Sequence, residues 1–187
     1  MRMSENRYAK ELRRRNLAKR MIEYEARTNT IVVWTGLTKY QVITMFREYT
    51  ELSAHRRHRG LSPFQPSFFS RSMWLECESS ALAAIELEMN IIPASITPGV
   101  GLPGLARGER LLYAFDLYRS LIPNTRMTLE HAVLLAQELT AARTLALGRC
   151  VRCDGLMVRD RLGAWHHDCA FCRLGERVVP ETDSVPA

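Results

Sequence analysis

The sequence predicts an all-α protein: a multi-helix body with a helix-turn-helix-like N-terminal region and a small C-terminal zinc-ribbon-like region. Three observations predict it. Apolar residues recur at three- and four-residue spacing through most of the chain up to residue 147. Sustained strand-type alternation is missing before residue 149. Four of the five cysteines fall into two C-x2-C pairs near the C-terminal end. With 187 residues the chain is long enough to bury a core without disulfides.

The elements follow in order. Residues 5–27 read as a helix, with Leu17, Met21 and Tyr24 on one face and no Gly or Pro inside. An apolar cluster, Ile31 to Trp34, precedes a break at Gly36. Thr38 is the natural N-cap of the next helix, whose stripe is Val42, Met45, Phe46 and Tyr49. The basic loop HRRHRG (55–60) and the aromatic, proline-punctuated LSPFQPSFF passage lead to a helix from near Ser70, expected to bury Met73, Trp74, Cys77, Ala81, Ala84, Ile85 and Met89. Residues 93–108 hold three prolines and four glycines and so read as a connection. Two more helices are expected: 108–121, with Leu111, Leu112, Phe115, Leu117 and Tyr118, and 128–147, capped by Thr128 and stopped by Gly148. The implied organisation is 1–60 basic and helical, 61–148 helical body, 149–175 metal-binding, and 176–187 a flexible tail.

The cysteines carry the strongest chemical signal. Cys150 and Cys153 are followed after fifteen residues by Cys169 and Cys172. Two such knuckles can bring four thiolates to one tetrahedral point about 2.3 Å from a zinc ion. Disulfides are disfavoured in a reducing compartment, a thioredoxin-type pair would need a βαβ context, and a zinc deaminase would need an upstream H-x-E. Iron–sulfur or redox chemistry is the remaining alternative. Four thiolates close the shell, which makes one zinc per chain structural rather than catalytic. His166 and His167 adjoin the second pair and are left outside the shell.

Charge locates the partner class. Residues 1–60 carry 14 basic and 6 acidic side chains, whereas 61–148 carry 6 and 8, and 149–187 carry 6 and 6. A basic segment of this kind attracts polyanions. Only Lys10, Lys19 and Lys39 among the 26 basic residues are lysines, and arginine suits bidentate phosphate and guanine contacts, although a GC-rich genome produces the same bias. In a helix-turn-helix at 26–48, the second helix would present Lys39, Tyr40, Gln41, Thr44 and Arg47 to base edges. An ordinary αα-corner shares the pattern, and the charge tips the reading toward DNA. Arg13, Arg14, Arg15, Arg56, Arg57 and Arg59 would neutralise phosphates, with Arg152, Arg159 and Arg161 as a second surface beside the metal. Cys77 reads as a buried structural thiol. No Walker loop, nucleophile elbow, H-E-x-x-H or paired-carboxylate motif is present in the sequence, so an enzyme is not expected. No apolar run nears the roughly 20 residues needed to span a bilayer, and the start lacks a signal-peptide pattern, so a cytoplasmic protein is the default expectation.

The segments ARTNTIVVWTGLTKYQVITMFRE, LSPFQPSFF and AFDLYRSL, followed by CVRC and CAFC, occur in an order that resembles the FlhC family of flagellar master transcriptional activator subunits, from about Leu17 to Cys172. The resemblance implies an all-α protein with a zinc region ligated by Cys150, Cys153, Cys169 and Cys172. It also implies a heterohexamer with an FlhD-type partner that binds promoter double-stranded DNA of flagellar operons and recruits RNA polymerase. The fifteen residues after Cys172 form a shorter tail than the resemblance leads one to expect. The competing class is a zinc-ribbon adaptor that binds protein only and has no sequence-specific DNA contact. Salt dependence separates the two, because phosphate contacts release counterions.

Overall fold

A computed structural model describes residues 2–50, 63, 65–93, 103–163 and 166–178. The elements are α1 (Arg2–Glu23), α2 (Thr28–Thr35), α3 (Lys39–Thr50), a short 3-10 turn (Pro66–Ser70), α4 (Met73–Glu88), α5 (Leu105–Leu121), α6 (Leu129–Ala141), β1 (Leu145–Arg149), β2 (Leu156–Asp160) and α7 (Ala170–Val178). The protein is mostly helical, with one two-stranded sheet among the described residues.

Local chemistry explains most boundaries. The backbone N–H of Gln41 donates to the Thr38 hydroxyl at 3.2 Å, while Gln41 Oε1 accepts from the Thr38 backbone N–H at 2.8 Å, a reciprocal cap at the start of α3. Thr128 and His131 form the same device on α6, and the Ser72 hydroxyl accepts from Leu75 N–H at the start of α4. Gly36 ends α2 with a φ of 69°, and its N–H closes on Val32 O.

The helices share one hydrophobic cluster. Leu17, Met21 and Ile22 of α1 meet Ile31 and Trp34 of α2, Val42 and Met45 of α3, Leu111, Leu112 and Phe115 of α5, and Leu135 and Ala136 of α6. Residues from the basic N-terminal region and from the body therefore bury the same core. Polar clamps orient α1 on α5: Arg13 grips Glu109 in a fork (Nε to Oε1 3.0 Å), and Arg20 and the Tyr24 hydroxyl both donate to Asp116. Between α4 and α5, Glu78 accepts from the Tyr118 and Thr125 hydroxyls at 2.8 and 2.6 Å. Glu86 of α4 is fully buried, with neither carboxylate oxygen hydrogen-bonded, and burial pushes its carboxyl well above the usual range.

Four expectations change. The helix expected over 128–147 ends at Ala141, because Ala142 takes a left-handed φ of 47° and residues 145–149 pair antiparallel with 156–160. Gly148, expected as a helix stop, lies in β1 opposite Met157, where a Cβ would come within 2.5 Å of Arg159 Nε. On α4 the buried line runs through Cys77, Ser79, Ser80, Leu82, Ala83 and Glu86 while Trp74 is 69% exposed, since the strands and α7 cover a different flank from the one the apolar residues suggested. The connection is also shorter at its end than expected: α5 begins at Leu105.

Candidate metal centre and basic helical face

Cys150 directly follows β1, and Cys153 lies in the turn that leads to β2. The turn closes through Cys150 N–H to Gly155 O and Asp154 N–H to Cys150 O, both at 3.0 Å, with Asp154 left-handed at a φ of 54°. A Cβ on Gly155 would stand 3.2 Å from Cys153 Sγ, so glycine leaves room for the sulfur. Cys169 directly precedes α7 and Cys172 lies in its first turn. Val151 N–H donates to His167 O at 3.1 Å and ties the two knuckles together.

The four sulfurs all lie within 4.8 Å of one another. Cys150 Sγ is 3.8 Å from Cys172 Sγ, and Cys153 Sγ is 3.7 Å from Cys169 Sγ. A tetrahedron with sulfur about 2.3 Å from its centre has edges of about 3.8 Å, so the four-cysteine group fits one tetrahedral metal ion. Backbone amides support the sulfurs as they would in a metal knuckle: Cys150 Sγ accepts from the N–H groups of Arg152 (3.4 Å) and Cys169 (3.2 Å), and Cys169 Sγ accepts from Cys172 N–H at 3.4 Å. These amides, Cys169 N–H first, pull the Cys150 thiol down to about 6. The Cys172 thiol is pushed up to about 12, chiefly by its hydrogen bonds to Cys153 and Cys169, and burial raises Cys169. Four thiolates this close repel one another, and only a cation at their centre lets all four ionise. His166 and His167 are exposed and outside the group.

The metal region is seated on the helical body through α4. Val158 N–H donates to the Ser80 hydroxyl at 3.0 Å, and Arg173 of α7 pairs with Glu76. Arg161 donates from its backbone to Thr144 O at 2.8 Å and from its guanidinium to Ala142 O. Cys77 is buried on the same helix, and burial pushes its thiol up to about 11.

The predicted DNA contacts divide by what they touch. Lys39, Tyr40 and Arg47 are exposed on α3, Tyr40 at 78%. Thr44 is half-buried, and Gln41 turns its side-chain oxygen to the Thr38 cap. Arg13 is held by Glu109, Arg14 lies 3.8 Å from Glu11 and reaches the Gly36 turn, and Arg15 bonds Glu11 at 3.4 Å. Arg159 donates to Arg149 O at 2.7 Å, Arg161 to Ala142 O, and Arg152 is exposed. Arg56, Arg57 and Arg59 lie outside the described residues, as does the tail from 179 onward.

Sequence reasoning did not identify Ser80, Glu76 or Gly155 as supports of the metal region. Ser80 and Glu76 lie 78 and 97 residues from Val158 and Arg173, their partners, and no local pattern along the chain marks such pairs. No helix among the described residues is long and apolar enough to cross a membrane. No family model and no curated protein matches the chain.

Proposed function

We propose that the protein is a non-enzymatic DNA-binding transcription activator subunit of the FlhC type. In this reading the four-cysteine group holds one structural zinc ion, and α2, the Gly36 turn and α3 act as a helix-turn-helix. The observation that carries the reading is the face of α3. Val42 and Met45 anchor the helix in the core while Lys39, Tyr40 and Arg47 stand in solvent on the segment of the chain with the greatest basic excess. Lys39 and Tyr40 occupy the first turn, the part of a recognition helix that reaches base edges. The Arg14 guanidinium beside the turn would meet a flanking phosphate. Zinc is the metal of choice for a closed tetrathiolate shell, and with no open position it serves folding rather than catalysis.

The partner expected from the resemblance is an FlhD-type subunit in a heterohexamer that recruits RNA polymerase at flagellar promoters in the cytoplasm. An exposed apolar line on α5 (Tyr113, Leu117 and Leu121, four residues apart) supports a protein partner of some kind. That line would serve equally in the adaptor reading, in which the chain binds protein only.

The deciding experiment reconstitutes the zinc-loaded chain with an FlhD-type subunit and titrates it onto flagellar promoter fragments and random duplex at near-physiological salt. The activator reading expects a preference of at least about a thousandfold for promoter DNA. Equal binding to both duplexes, with an affinity that barely responds to salt, overturns it in favour of the adaptor.

A further inference from the structure

The four cysteines of the metal centre are unequally shielded. Cys150 and Cys169 are buried, at 3% and 4% exposure, and Cys172 is half-buried, whereas Cys153 stands exposed in the turn after β1. Hydrogen bonding divides them in the same way. Cys150 Sγ accepts from the backbone N–H groups of Arg152 and Cys169, and Cys169 Sγ accepts from that of Cys172. Among the described residues no backbone N–H donates to Cys153 Sγ, whose recorded neighbour is the Cys169 sulfur. The turn adds little cover: Val151, Arg152 and Asp154 are themselves exposed, and Gly155, where a Cβ would stand 3.2 Å from the Cys153 sulfur, has no side chain.

Around one metal ion all four cysteines are thiolates, so access and hydrogen bonding rank their reactivity. An N–H donor draws on the negative charge of the sulfur and makes it a weaker nucleophile, and burial keeps a reagent away from it. Both put Cys153 first. Cys169 Sγ lies 3.7 Å from it, within reach of a sulfur oxidised there after a small movement. Along the chain Cys153 is flanked by Arg152 and by Asp154, which Arg149 bridges at 3.2 Å, while His167 and Asp168 adjoin the second pair. None of these charges bars an uncharged oxidant.

We infer that the metal centre is also a peroxide-sensitive site, with Cys153 the thiolate oxidised first and Cys169 the thiolate that closes on it. The Cys153 sulfur attacks hydrogen peroxide: an S–O bond forms as the O–O bond breaks, two electrons pass from sulfur to the oxygen that leaves as hydroxide, and Cys153 becomes a sulfenic acid. The Cys169 thiolate then displaces hydroxide from that sulfur and forms the disulfide. Two thiolates and one peroxide thus give one disulfide and two hydroxides, which take up protons as water. Cys150 and Cys172 alone cannot complete a tetrahedral shell, and the site gives up its ion. The inference rests on the zinc reading proposed above and is independent of whether α3 binds DNA.

The test measures the zinc content of the purified full chain by elemental mass spectrometry and then adds hydrogen peroxide. A metal-binding dye follows zinc release, while iodoacetamide traps free thiols for peptide mapping. The expected result is release of the bound zinc in step with a disulfide between Cys153 and Cys169, with Cys77 still a free thiol because it is 3% exposed on α4. Dithiothreitol and added zinc should restore the original form. Iodoacetamide alone, added to the zinc-loaded chain, should modify Cys153 ahead of the other three ligands, which checks the ranking without any substitution. Zinc retained in excess peroxide, or a first disulfide or first alkylation that leaves Cys153 free, overturns the proposal. A disulfide from Cys153 to Cys150 or Cys172 overturns the role of Cys169. A chain without zinc before peroxide is added defeats the zinc reading and this inference together, whereas a zinc-loaded chain that resists peroxide defeats this inference alone.

Discussion

Gly108 of α5 lies directly against Leu17 of α1: a Cβ built on the glycine would stand 2.9 Å from Leu17 Cδ2 and 3.2 Å from Trp34 Cε3. The three residues join α1, α2 and α5 at one point in the core, and the absence of a side chain on Gly108 is what lets α5 approach that closely. Gly108→Val should therefore destabilise the protein by about 2–3 kcal/mol, since overpacking outweighs the gain in helix propensity. Urea unfolding measures it. A variant as stable as the parent would mean that Leu17 and Trp34 have room to move aside.

Metal removal should act locally first. The metal region meets the body through Ser80, Glu76 and Thr144 and lends Leu145, Leu147 and Val158 of its strands to the helical core, while Cys150, Met157, Cys169 and Cys172 form a small cluster of their own around the metal position. Chelation, or Cys150→Ser, should open residues 145–178 to protease while most helical circular dichroism remains, because metal binding and folding are coupled at such sites. Proteolysis patterns identical with and without chelator would refute this.

Glu86 sets a pH dependence with a definite sign. Burial raises its folded pKa, so the folded chain holds a proton that the unfolded chain releases near an ordinary glutamate value of about 4.3. Its contribution to stability is complete below that pH and is lost as pH rises through the folded value. Glu86→Gln removes the titration without changing shape. At fixed zinc, the variant should match its parent closely at pH 5 and gain on it by about 1–3 kcal/mol toward pH 8. Denaturant curves at the two pH values check it, and a gap that shrinks as pH rises contradicts the assignment.

The arginines and lysines of the first helices should differ in their salt response. Lys39→Gln and Arg47→Gln each remove an exposed cation from α3 and should lower the slope of log K against log salt for DNA by about one unit apiece. Arg13→Gln should leave that slope unchanged, because its guanidinium is already gripped by Glu109. Its exposed ion pair is screened by solvent and should contribute little to stability. A slope that falls as much for Arg13 as for Lys39 would place α1 on the DNA.

What the sequence by itself determined rests on local constraints. Helical spacing marked Leu17, Met21, Val42, Met45, Leu111 and Phe115 as core because a 3.6-residue repeat needs no knowledge of the partner surface. Thr38 and Thr128 were readable as caps because their partners lie three residues on. Cys150, Cys153, Cys169 and Cys172 were readable as one group because a two-residue gap suits a knuckle around a single ion. Tertiary structure alone decided the rest. Residues 145–149 became a strand because they pair with 156–160, and a short LALGR run contains no sign of that partner. Trp74 stayed in solvent because β2 and α7 cover the opposite flank of α4. Arg13 found Glu109 ninety-six residues away. Each of these depends on which distant surfaces come together, and a periodic pattern along the chain carries no record of that choice.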